Sequence, residues 1–444
     1  MNRLINTVMC IGCMLLFLTP VEAQIAVGTE SSRDMGVDES TEFFTSTDGL
    51  PAKPGDTEEQ SADKAPVWTI RKKIEYTASE LDNQLSSQII AKEQAKRHFI
   101  EELSDDIMDY YSEQYAIEND KEPLVREYIS PLLPCLIQIE TSNETWGNNQ
   151  LSLEATTQVS SSGIARSIFQ ILNEKMLLKH IIRNRESADS AFAKIKKLQI
   201  APSGNMTENL ESYNQAVNQL HAADWFEKAI FSGFSGDTQS AIDAYSKAVE
   251  CNPKFAEAFY YRGTYYQNFS KDPQKALSDY CQAIELDNSE PRYFTSRGIC
   301  YYQLNNLELA IKDLSRGIEL DPASQATYGA LAVRGSIYET QGENQKALED
   351  YSRAVEINPE AGAIHYRKGL INRRLKHYEQ CIEDFGNAIK LDDSNPDAYY
   401  ERAIAYAFLR DNKYKQQVLN DFKAAAKLGH VEAQKFLEDH NIQW

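Results

Sequence analysis

Between Ala241 and Asp393 one amphipathic pattern is written five times: AIDAYSKAVECNP, ALSDYCQAIELDN, AIKDLSRGIELDP, ALEDYSRAVEINP and CIEDFGNAIKLDD. Small and large apolar residues recur in each at three- and four-residue steps, the spacing of one buried helix face. A preceding helix accompanies each copy. Its small core-facing residue falls at Ala229, Gly263, Gly298, Gly335, Gly369 and Ala403, at intervals of 34, 35, 37, 34 and 34 residues. The second helices place large residues at Tyr245, Tyr280, Leu314, Tyr351, Phe385 and Phe422, each followed three residues later by Ala or Gly. Pro253, Pro322 and Pro359 end three of these helices. Such a helix pair has an apolar face but no core of its own. Stacking on the next pair buries that face, so the pattern must repeat.

Ahead of the repeats the periodicity changes. VWTIRKKIEYTAS alternates like a strand, while Ile90, Ala91, Ala95, Phe99, Leu103 and Ile107 predict a helix. LIQIETS and QLSLEATTQV predict a hairpin joined by the polar NETWGNN, with Ile137 and Ile139 on one sheet face and Leu151, Leu153 and Ala155 on another. One long helix is expected from about Ile164 to Leu198. Together these predict a small α+β domain over 67–200, with 201–221 as a linker or helix. Residues 24–66, which include GLPAKPGDTEEQSADKAP, are expected to form a disordered acidic leader. Arg3, the apolar run Val8 to Leu18 and the small residue Ala23 predict a signal peptide, 1–23, cleaved after Ala23. No later apolar run reaches the ~18 residues of a membrane span. The expectation is an exported protein, periplasmic or associated with the cell envelope.

The repeats resemble the tetratricopeptide repeat (TPR) family from residue 222 to about 430. Trp225, Ala229 and Gly236 in the first unit, and Gly335, Tyr338, Gly342 and Ala347 in the fourth, stand where that family's pattern has them. The resemblance implies a mainly α fold, a helix-turn-helix superhelix preceded by the α+β domain. Its six units would be 222–255, 256–290, 291–326, 327–361, 362–395 and 396–430, with 431–444 as a capping helix. Two departures stand out: Asn372 replaces the usual aromatic of the fifth unit, and Val418 the small residue of the sixth. The upstream segment, through AKEQAKRHFIEEL and ETWGNNQLSLEA, is similar to domains that precede repeat arrays in some exported Gram-negative bacterial proteins. That similarity implies no activity.

Charge and composition narrow the function. A net charge of −20 argues against nucleic acid, which demands clustered Lys and Arg. Beyond the signal segment five cysteines remain (Cys135, Cys251, Cys281, Cys300 and Cys381), an odd number without C-x-x-C spacing, and they read as buried free thiols. The seven histidines are scattered without H-E-x-x-H spacing, and neither a G-x-S-x-G elbow nor a phosphate-binding loop occurs. The acidic run Glu101, Glu102, Asp105, Asp106 and Asp109 reads as a solvated helix face. No catalytic residue, metal or cofactor is expected.

Two stripes remain inside the array. Arg262, Arg297, Arg334, Lys368 and Arg402 precede the small residues of the first helices, and Asp279, Asp313, Asp350, Asp384 and Asp421 precede the large residues of the second. They read as a structural ladder of charge pairs that fixes register. Flanking the small residues, Phe226, Tyr260, Thr264, Tyr302, Tyr366, Arg373, Arg374 and Tyr400 form a candidate groove for a protein or peptide partner, its rings as anchors. The expected function is a non-enzymatic, exported TPR scaffold or adaptor binding protein partners through that groove. The alternatives are an N-terminal domain that binds a ligand or catalyses a reaction, with the repeats as a targeting module, or an assembly factor for envelope proteins.

Overall fold

In a computed structural model, the structure describes residues 67–115, 117, 126–127, 129–173, 175–200 and 205–444. The expected signal peptide and acidic leader lie outside these residues. The described chain forms two compact units, 67–265 and 266–444.

The first unit opens with β1 (Val67–Thr77) and α1 (Gln84–Gln114). A capping box starts α1: Ser86 N–H donates to Asn83 Oδ1 at 2.9 Å, and Asn83 N–H donates to Ser86 Oγ at 2.8 Å. Ile90, Ala91, Ala95, Phe99, Leu103 and Ile107 form its buried stripe. A short helix α2 (Leu133–Leu136) leads to β2 (Glu140–Gly147) and β3 (Gln150–Ser160). The strands form an antiparallel sheet in the order β1-β3-β2. Leu151, Leu153, Ala155, Thr157 and Val159 alternate into the core from β3.

The hairpin differs from the sequence expectation. Most of NETWGNN is strand, and the turn is only Asn148-Asn149, both at positive φ (51° and 57°), as a two-residue type I′ turn requires. Asn143, at φ 53°, lies in the bulge that breaks the register between Ser142 and Thr145. Ile137 and Ile139 are buried but precede β2. Gln138 between them is tied to β3 through its carbonyl, which accepts from Thr157 Oγ1 at 2.7 Å. The helix expected over 164–198 is found as α3 (Ser161–Asn173) and α4 (Lys175–Ile200), on either side of residue 174.

A 29-residue helix, α5 (Met206–Phe234), then packs on both α4 and α6 (Thr238–Cys251). The helix α7 (Ala256–Asn268) contains the boundary between the units.

The second unit continues with α8 (Pro273–Leu286), α9 (Pro291–Gln303), α10 (Leu307–Leu320), α11 (Gln325–Thr340), α12 (Asn344–Ile357), α13 (Gly362–Arg374), α14 (Tyr378–Leu391), α15 (Pro396–Phe408) and α16 (Lys415–Lys427). The last helix, α17 (Val431–Asp439), sets Ala433 and Leu437 on Phe422, Ala425 and Ala426.

Turn chemistry repeats with the helices. Between first and second helices one left-handed residue recurs, at Gly236, Lys271, Asn305, Gly342, Lys376 and Arg410, with φ between 52° and 76°. Behind it an amide returns to the first helix, as in Asn306 to Tyr301 at 2.8 Å and His377 to Asn372 at 2.8 Å. After each of five second helices, an Asx side chain accepts from the amide two residues on: Asn252, Asp287, Asp321, Asn358 and Asp392.

Candidate partner-binding surface

Within the second unit, α9 packs on α11 and α13 on α15, so the first helices of successive pairs form one layer. The charge pairs lie between this layer and the second helices. Arg297 Nε and Nη2 reach Asp313 at 2.6 and 3.0 Å, Arg334 meets Asp350 at 2.8 and 2.7 Å, and Arg402 meets Asp421 at 2.8 and 2.7 Å. These are two-pronged contacts to buried carboxylates.

The free Nη1 of each arginine reaches toward the preceding pair. It donates to Cys281 Sγ from Arg297 at 3.4 Å and to Ser315 Oγ from Arg334 at 2.7 Å, and that of Arg402 lies 3.7 Å from where a Cβ would stand on Gly386. Arg297 and Arg334 therefore each join two adjacent helix pairs. In the first unit Arg262 Nη1 donates to Ser246 Oγ at 3.2 Å. Asp279, on α8, is buried.

The fifth pair explains Asn372. Its cation is Lys368, which supplies one donor to Asp384 Oδ1 at 2.8 Å. Asn372 Nδ2 fills the other carboxylate oxygen, Oδ2, at 2.7 Å. The departure from an aromatic residue compensates for a lysine that cannot make a two-pronged contact.

The proposed groove residues divide into three groups. Phe226 and Tyr260 are core: Phe226 is fully buried against Tyr245, Phe255 and Tyr261, and Tyr260 is 8% exposed. Neither ring can anchor a partner, because both are buried. Tyr302, Tyr366 and Tyr400 are half-buried. Tyr302 packs on the core around Ile299 and Leu314, and the Tyr366 ring centre lies 5.5 Å from that of Phe385. Tyr400 stacks on His430 at 4.0 Å, with Phe422 beside it at 5.7 Å. Thr264, half-buried on α7, turns its hydroxyl back to Tyr260 O at 3.0 Å.

Arg373 and Arg374, the charged residues of the expected groove, both already meet acids of this chain. Arg373 Nε lies 2.9 Å from Glu401 Oε2, and Arg374 Nη2 lies 3.1 Å from Glu339 Oε1. Glu339 also receives Arg367 at 3.2 Å and the Tyr351 hydroxyl at 2.9 Å. Burial raises the Glu401 carboxyl above its ordinary value, with Arg373 opposing that shift. Three guanidinium groups thus share two carboxylates. The side chain of Arg374 remains 44% exposed.

Sequence reasoning missed Glu339, Glu401 and Phe408. Phe408 is 51% exposed at the end of α15 and stacks on Tyr378 at 5.1 Å with rings 8° apart. It is the thirteenth residue of its helix, as Arg374 is of α13. That shared register is a signal the sequence does carry.

Helix pairs of about 34 residues, stacked through small-to-large contacts, define a helical repeat array. Profiles of the tetratricopeptide repeat match residues 244–278, 291–324, 329–360 and 363–395. The chain carries tetratricopeptide repeats. No curated protein matches it by sequence. Among solved structures, PilF of Pseudomonas aeruginosa is 15% identical over 50% of this chain and 99% of its own, with a TM-score of 0.42. YrrB, described as a TPR protein with an unusual peptide-binding site, is 19% identical over 45% of this chain and 100% of its own, with a TM-score of 0.40. MamA is 22% identical over 37% of this chain and 95% of its own, with a TM-score of 0.35.

Proposed function

We propose that this protein is a non-catalytic scaffold whose second unit holds a protein or peptide partner along its layer of first helices. The observation that carries this reading is the exposed Phe408 stacked on Tyr378, with the half-exposed Arg374 four residues before Tyr378 at the end of α13. A stacked ring left half in water is an anchor without a socket, and a half-exposed guanidinium suits an acidic side chain or terminal carboxylate. Replacing Phe408 by Ala and Arg374 by Gln together should lower partner binding at least tenfold. The fold should survive with a thermal midpoint lower by only about 2–4 °C, since Arg367 and the Tyr351 hydroxyl still hold Glu339 when the Arg374 charge is lost. Unchanged binding would move the partner elsewhere.

The address in the cell envelope belongs to the same reading and rests on the N-terminal segment. Protein isolated from its native host should begin at Gln24 by N-terminal sequencing. A chain that retains Met1 in the cytoplasm would remove export from the account.

A further inference from the structure

In the first unit α1 and α5 leave a cavity of about 210 Å³ over the sheet. Its wall is divided by chemistry. Leu85 and Ile89 of α1, Leu153 of β3 and Leu220 of α5 make an apolar half, and Leu85, at the mouth, is 57% exposed. Lys92 from α1 and Asp224 and Lys228 from α5 make a charged half.

At that charged end the two lysines of the wall, Lys92 and Lys228, share one carboxylate oxygen of Asp224. Asp224 alone receives three ammonium groups: Lys96 at 2.6 Å, Lys228 at 2.8 Å and Lys92 at 3.4 Å. The other acids nearby are committed. Glu227 takes Lys96 at 2.8 Å, and Glu93 takes Arg185 at 2.5 Å and Arg97 at 2.8 Å. Glu144, on the β2 wall of the cavity, is held only by neutral donors, Gln88 at 2.6 Å and Thr141 at 3.2 Å, and keeps its own charge there. His221 adds no charge to this wall: its Nε2 accepts from Trp225 Nε1 at 2.8 Å, and burial lowers its affinity for a second proton.

Asp224 stays ionised, held well below the carboxylate range by Lys96, Lys92 and Lys228 against the effect of burial. Lys92 is left short of counter-charge. Burial, only partly offset by Asp224, and repulsion from Lys228 and Lys96 bring its ammonium down to about 8.

We infer that this cavity binds a small organic anion, its carboxylate between Lys92 and Lys228 and its short hydrocarbon tail along Ile89 and Leu153 toward Leu85. Scaled from the 150 Å³ cavity that holds benzene, the space suits about eight non-hydrogen atoms. The anion supplies the charge that Asp224 cannot give to both Lys92 and Lys228. The tail covers apolar wall that is otherwise wet.

The test is calorimetric titration of the full chain at pH 8.5 with hexanoate, acetate and hexylamine, in two buffers of different ionisation enthalpy. Hexanoate should bind at one site, at least tenfold more tightly than acetate or hexylamine. Because a bound carboxylate raises the Lys92 pKa from about 8, binding should take up a fraction of a proton. Lys92→Met should weaken hexanoate at least tenfold and abolish the proton uptake, with circular dichroism unchanged. Lys228→Met should also weaken hexanoate, and it carries the test if Lys92→Met does not fold. Absence of saturable hexanoate binding, equal binding of hexylamine, or binding unaffected by the folded variants would overturn the inference.

Discussion

Replacing Asp350 by Ala should cost about 3 kcal/mol of stability, because it strands a buried guanidinium. The Asp350 and Arg334 side chains are 5% and 15% exposed, and the arginine has no other carboxylate within the pair. Its remaining bond, to Ser315 Oγ of the preceding pair, is neutral and cannot replace the lost charge. Arg334→Ala alone should cost a similar amount, since it leaves Asp350 buried without its cation. The double variant should lose clearly less than the sum of the two, by about 1–3 kcal/mol, in denaturant unfolding. Strictly additive losses would show that the pair does not act as a unit.

Gly298→Val should be as damaging for a different reason. A Cβ at Gly298 would stand 2.9 Å from Leu314 Cγ, 3.1 Å from the Leu314 amide nitrogen and 3.2 Å from the Ala310 carbonyl oxygen. Two of these are backbone atoms of α10 and cannot swing aside, so α9 and α10 must separate. Overpacking of this kind costs about 3 kcal/mol. Gly386→Ala is the control. Its new Cβ would meet only the tip of Arg402, at 3.7 Å, and the gain in helix propensity should raise stability by about 0.5–1 kcal/mol. Loss of stability in both variants would mean that the contrast in helix spacing is not what these positions report.

The two effects show why the array was legible before any coordinates. Small residues mark where backbones approach, and large residues mark what fills the remaining space, so the spacing of the packing is written directly as periodicity. The cation–acid stripes were visible for the same reason: three pairs recur 16 residues apart, and the fourth, Arg402 and Asp421, is stretched to 19 by the inserted turn before α16. Asn372 looked like a defect because its partner, Asp384, takes its other bond from a lysine.

Other features depend on contacts that periodicity does not encode. The hairpin register turns on Asn143 and on the Asn148-Asn149 pair, three left-handed residues within a stretch that reads as a polar loop. Ring placement on the first helices was misread because a position three residues before the small one can face either a neighbour or water. At Phe226 the neighbour is Phe255, 4.9 Å away. At Tyr366 it is not so covered. The charged cavity of the first unit draws on residues 92, 96, 185, 224 and 228, each of which reads locally as part of a polar helix face.

The central claim is that the layer of first helices in the second unit holds the partner. Site-specific photo-crosslinking tests it most directly, with benzoylphenylalanine placed at Phe408 and at Arg374 in the full chain in its native host. Leu309, 45% exposed on the second helix α10, serves as the control. The account predicts that Phe408 and Arg374 crosslink to the same protein and that Leu309 does not. Crosslinking from Leu309 to that protein with equal yield, or none from Phe408 and Arg374, would contradict it.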